Sequence, residues 1–129
     1  MQKMIVVAVG LVVLCGAVVR AEELNWKAGA AKVAITPEEP LWMSGYASRD
    51  KPADGKLTDL WAKALVLQDG QGQRGLVLTL DLVGIDQTLA QAICNGLEQR
   101  HGLSRDQIVI CCSHTHTGPV VGHNLDPLH

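Results

Sequence analysis

Apolar and polar positions alternate in blocks along this chain, and the blocks differ in period. Ala28 to Ile35 is small and apolar around a single lysine, and Thr36-Pro37 closes it, since proline cannot continue a ladder. Leu60 to Gln68 and Gly75 to Val83 are two further apolar runs separated by Asp69-Gly70-Gln71-Gly72. That spacing predicts a β-hairpin with glycine supplying the positive φ. The period then changes. Ile85, Leu89, Ile93 and Leu97 recur every four residues, which predicts a helix from about Gln87 to His101. Asp86 stands at its N-cap and Gly102 at its C-terminal cap. Ser104 to Gln107 fits a capping box before a last apolar run, Ile108 to Cys112. That run is β-branched at its start and reads as a strand buried on both faces.

Third strand, helix and fourth strand make a strand-helix-strand unit with a right-handed parallel crossover. The expected fold class is therefore α/β: a mixed sheet with a β-hairpin and a strand-helix-strand unit, and the chain reads as the N-terminal portion of a longer protein. The long polar stretch from Glu38 to Lys56 is a loop that holds Trp42, Met43 and Tyr46. Loops of this length are uncommon unless functional or disordered. Its apolar residues either fold over a pocket or plug a core edge.

The chemistry concentrates after the last strand, in Ser113-His114-Thr115-His116-Thr117-Gly118-Pro119. A strand delivers two histidines at one place, at the carboxyl end where ligands bind in open α/β sheets. In an extended segment residues two apart share a side, so His114 and His116 can face one pocket. Imidazole suits zinc and other first-row metals, whereas a surface His-X-His that binds nothing is the plain alternative. Spacing alone leaves open that one histidine holds metal and the other substrate. Asp81 is a carboxylate in an otherwise apolar strand and needs a partner. It either orients a metal-ligating histidine or bonds backbone or a nearby lysine at the strand end. Cys112 and His114 share a strand face, which allows thiolate ligation. Free cysteine acting as a small hydrophobe is the reading favoured for Cys94, Cys111 and Cys112.

The remaining features set the context. A formal net charge of −2 gives no nucleic-acid footprint. There is no Phe, so the core must be built from Leu, Val, Ile and Ala. Lys3 precedes an apolar run from Met4 to Val19, and Val19 and Ala21 stand third and first before Glu22. This reads as a signal peptide over residues 1–21 and an exported chain over 22–129, with an uncleaved anchor as the alternative. An odd cysteine count after the signal argues against a disulfide framework.

Taken in order, Ala28-Gly29-Ala30-Ala31-Lys32-Val33-Ala34-Ile35-Thr36-Pro37, Ser44-Gly45-Tyr46, Trp61 to Leu67, Leu80-Asp81-Leu82-Val83-Gly84-Ile85 and Ser113 to Pro119 resemble the N-terminal region of the neutral/alkaline non-lysosomal ceramidase family. The resemblance implies a zinc-dependent amidohydrolase that cleaves the amide of ceramide, or a related lipid amide, to a sphingoid base and a fatty acid. By that resemblance His114 is a Zn2+ ligand and His116 is the catalytic, substrate-contacting histidine. Asp81 remains the candidate for orienting the metal ligand. The family's other zinc ligands lie later than residue 129, so this stretch alone is expected to be inactive. The implied partner is a ceramide-like lipid amide, and with it a membrane surface. Val120-Val121-Gly122 and Thr58 depart from the family pattern and leave another amide or ester open as substrate. An exported, non-catalytic binding or scaffold domain of the same fold is the reading from a different class.

Overall fold

A computed structural model describes residues 25–123. The signal-peptide expectation over 1–21 lies outside the described residues. Strand β1 (Lys27–Ala34), strand β2 (Trp61–Gln68), strand β3 (Arg74–Leu80), helix α1 (Gln87–His101) and strand β4 (Ile108–Cys112) follow in chain order. The sheet order is β1-β2-β3-β4, with β1–β2 and β2–β3 antiparallel and β3–β4 parallel. This is the mixed α/β sheet expected from the hydrophobic pattern. No described helix is long and apolar enough to cross a membrane.

Local chemistry explains where the elements stop. In the hairpin turn the Asp69 carboxylate accepts the Gln71 and Gln73 amides, and Gly72 takes φ +86°. Asp86 caps α1 by accepting the Leu89 amide at 2.7 Å, and Gly102 closes it in the left-handed region. Ser104 and Gln107 form the capping box around a single 3-10 turn, Arg105–Gln107. β3 was expected to run to Val83 but ends at Leu80. The Asp81 amide still donates to the Trp61 carbonyl, but the Trp61 amide donates to Asp81 Oδ2 rather than to a backbone carbonyl. A side chain replaces the next ladder rung, and the chain bends away.

The core lies between one face of the sheet and α1. Leu76, Cys94, Leu103 and Ile108 are its buried centre, with Ala64, Val66, Leu97 and Ile110 packed around them. The four-residue stripe expected on the helix is only partly the buried face. Each four-residue step rotates about 40° around an α-helix, so the stripe winds off the sheet. Cys94, not Ile93, occupies the centre of the contact, as a small hydrophobe. The other sheet face is open. Leu65, Val77 and Val109 stand side by side in register across β2, β3 and β4, and Val109 is 52% exposed. β4 is thus covered on one face among the described residues, which corrects the expectation of a strand buried on both.

Candidate functional site

Because β3 and β4 run parallel, their carboxyl ends lie together, and the histidine loop leaves from that edge. The Ser113 amide donates to the Leu80 carbonyl, extending the β3–β4 pairing by one step. The chain then turns sharply, with His114 at φ +56°. The segment is therefore not extended through the histidines, and simple alternation does not bring them together. The turn does. The His114 and His116 rings meet edge to face with centroids 5.2 Å apart. The Thr117 amide and hydroxyl both meet the Thr115 hydroxyl, which tightens the same turn.

His114 Nδ1 lies 2.8 Å from the Val83 carbonyl oxygen. A carbonyl only accepts, so in the neutral ring Nδ1 carries the proton and Nε2 presents its lone pair. This is the outer-shell arrangement that orients metal-ligating histidines. Asp81 does not provide it. Its Oδ2 accepts the Trp61 amide at 3.0 Å and faces Lys63 Nζ at 3.5 Å. The strand-end reading of Asp81 is the one the structure shows, and Val83 holds the place considered for it. Asp81 shapes the site through backbone instead: a Cβ at Gly118 would stand 3.2 Å from the Asp81 carbonyl oxygen.

The loop between β1 and β2 folds over the histidines. Residues 42–44 pair with 118–120 through a Met43–Pro119 bridge, Ser44 N–H to Gly118 O at 3.0 Å, and Val120 N–H to Trp42 O at 2.8 Å. Ser44 is fully buried, and its hydroxyl also donates to the Gly118 carbonyl. Gly45 follows at φ +72°, and any Cβ there would stand 2.5 Å from His116 Cγ and Nδ1. Tyr46, itself at φ +59°, sets its ring against His116 at 5.1 Å. His116 is thus packed between His114 and Tyr46. Arg49 donates to the Gly45 carbonyl at 3.0 Å and to the His116 carbonyl at 2.7 Å. On the far side, Asp86 accepts the His123 amide at 2.6 Å through Oδ2 while Oδ1 caps α1. These two backbone bonds, the Leu89 amide first and then His123, hold its carboxyl below the usual value.

Sequence reasoning brought His114 and His116 to one edge and placed Tyr46 in a loop that folds over something. Arg49 and the second role of Asp86 escaped it, because neither sits in a motif and both act on backbone atoms far along the chain. Cys112 stays a half-buried thiol, raised by burial first and by the neighbouring Cys111 second. No three His, Cys, Asp or Glu side chains gather into a metal-holding group among the described residues. The His114 imidazole, oriented as it is, has the chemistry of a single metal ligand.

A mixed sheet carrying a His-X-His turn at the carboxyl edge of parallel strands, under a folded-over loop, defines a class of α/β site. The comparisons make it specific. The model for neutral/alkaline non-lysosomal ceramidase, N-terminal, matches residues 26–125, and the chain belongs to that family. It is 30% identical over 104 residues to neutral ceramidase of Pseudomonas aeruginosa, covering 78% of this chain and 16% of that protein. Neutral ceramidase of Drosophila melanogaster is 28% identical over 109 residues, covering 82% and 15%. The crystal structure of the Pseudomonas aeruginosa neutral ceramidase superposes with a TM-score of 0.70 at 26% identity, over 77% of this chain and 16% of that one. A ceramidase complexed with C2 gives 0.69 at 26% identity, over 76% and 16%. The chain thus spans about one sixth of the length of these relatives.

Proposed function

We propose that this chain contributes one zinc-ligating histidine, His114, and one substrate-contacting histidine, His116, to an exported amidohydrolase. Its substrate would be the N-acyl amide of ceramide or a related lipid amide, and its products a sphingoid base and a fatty acid. The single observation that carries this reading is the His114 ring, fixed through Nδ1 by the Val83 carbonyl so that in the neutral ring Nε2 keeps its lone pair. The family membership and the neutral ceramidase names of the relatives support the substrate class.

His114 would be one of the residues that hold a zinc ion, and the ion would supply Lewis acidity toward an amide carbonyl, which is otherwise a poor electrophile. The chain's own residues do the rest. Val83 keeps His114 in one tautomer. His116, fixed between His114 and Tyr46, offers a ring nitrogen that can donate to the substrate or carry a proton. Tyr46 and Trp42, both exposed in the overlying loop, offer aromatic surface suited to a lipid at a membrane surface.

The test is His114→Ala in the protein expressed from its complete reading frame. Zinc content and release of fatty acid from ceramide should both fall to background. Full zinc occupancy in the variant would show that the ligand assignment is wrong. Zinc loss with ceramide turnover retained would separate the metal from the chemistry.

A further inference from the structure

Arg49 makes more contacts to the site than its place in a polar loop suggests. Its Nε donates to the Gly45 carbonyl at 3.0 Å and its Nη2 to the His116 carbonyl at 2.7 Å. Its Nη1 lies 3.7 Å from Met43 Sδ, and the guanidinium sits 5.3 Å from the Tyr46 ring centroid. Its own amide donates to the Tyr46 carbonyl at 3.0 Å, closing a turn over residues 46–49. One side chain therefore touches three consecutive-loop features, Met43, Gly45 and Tyr46, and the backbone of His116, 67 residues later in the chain.

The conformations it holds are unfavourable ones. Tyr46 and His114 are the non-glycine residues at positive φ among those described, and they flank His116 from two sides. Such conformations cost about 1–3 kcal/mol each and persist only where the surroundings enforce them. The Ser44–Gly118 pairing anchors one end of the overlying loop. Arg49 anchors the other, directly to the carbonyl of the histidine itself.

We propose that Arg49 is a positioning residue. It clamps the loop 43–46 onto the His114-Thr115-His116 turn by bonding the Gly45 and His116 carbonyls at once, and so fixes where the His116 ring points. The value of the arrangement for catalysis rests on the assignment of His116 to substrate; the geometry of the clamp does not. Lysine cannot replace it, because the planar guanidinium presents Nε–H and Nη–H in a fixed fork, whereas an ammonium is a single point.

The experiment is nuclear magnetic resonance on the protein expressed from its complete reading frame, as wild type, Arg49→Lys and Arg49→Ala. Arg74→Ala serves as the control, since Arg74 donates to another carbonyl, that of His101, at 2.9 Å far from the site. Both Arg49 variants should lose the nuclear Overhauser contacts between the Tyr46 and His116 rings. Amide shifts should move at residues 44–46 and 114–118 while those of β2, β3 and α1 stay. Retained ring contacts in the lysine and alanine variants would overturn the proposal. So would a collapse of the whole sheet's signals in both, which would make Arg49 a general fold contact. If the alanine variant alone fails to fold, the lysine variant decides by the same signals. In the complete protein, Arg49→Lys should lower kcat on ceramide by about 10- to 100-fold with KM changed much less, as expected when a reacting group is misplaced by ~1 Å. Wild-type protein without ceramide turnover would sink the functional reading and leave the resonance result to judge the clamp.

Discussion

His116 owes its position to a residue with no side chain. At Gly45 the backbone passes so close that a Cβ would stand 2.5 Å from the imidazole, and the φ of +72° disfavours any other residue there. Gly45→Ala should therefore act twice. It should destabilise the chain by about 1–3 kcal/mol through the left-handed backbone, and it should push the His116 ring off Tyr46. Chemical denaturation reads the first effect and the ring contacts read the second. A variant with wild-type stability and intact contacts would mean that the loop does not sit on His116 in solution. The two histidines were legible in the sequence because the His-X-His motif follows a strand. The reason they meet was not, since alternation along an extended segment gives the same pairing as the turn at His114 by a different path. Asp81 shows the limit of reading residue types. A lone carboxylate in an apolar strand announces a partner but not which one, and here the partners are the Trp61 amide and Lys63.

Helix α1 is tied to the site by its first residue outside the helix. Asp86 uses one carboxylate oxygen for the Leu89 amide and the other for the His123 amide. At Gly122, φ +61°, a Cβ would collide with that carboxylate, so the turn leaves no room for a side chain. Asparagine has one acceptor oxygen, so Asp86→Asn should keep the helix cap and release the 120–123 loop, while Asp86→Ala should lose both. Amide exchange at His123 should accelerate in both variants, and at Leu89 only in the alanine variant; protection of His123 in the asparagine variant would refute the shared-carboxylate account. The sign of the pH effect follows from the same bonds. Asp86 is held below its ordinary value of 3.8 in the fold, so its contribution is fully present above that value and is lost as pH falls through the lower, folded value. Asp59, lowered by Lys56 first and Thr36 second, follows the same sign. Acid should therefore loosen the His123 loop before the sheet, and in Asp86→Asn that acid step should be absent. Caps and hairpin were readable because they use local signals: Asp86, Gly102, Ser104 and Gln107 stand where the helix and turn need them. The Asp86–His123 bond spans 37 residues and leaves no local trace.

The sheet of the whole molecule has two unlike faces, and the sequence gives them similar letters. Ile108 and Val109 are adjacent β-branched residues on β4, yet Ile108 is 3% exposed against α1 and Val109 is 52% exposed on the other side. A continuous apolar run reads as a strand buried on both faces, because periodicity carries no signal when both faces are apolar. Only the position of α1 distinguishes them: Leu76 and Ile108 pair across β3 and β4 on the covered side, and Leu65, Val77 and Val109 line the uncovered one. The energetic consequence is direct. Ile108→Ala removes methyl groups from a packed centre and should cost about 2–5 kcal/mol. Val109→Ala removes methyl groups that already contact water and should cost less than ~1 kcal/mol, most of it β-propensity rather than burial. Urea denaturation of the two variants separates these values by several-fold in ΔΔG. Equal losses would mean that the Leu65–Val77–Val109 face is covered in solution. A larger loss at Ile108 alone would establish that the fold's stability, and with it the rigid edge that carries His114 and His116, comes from the α1 side of the sheet.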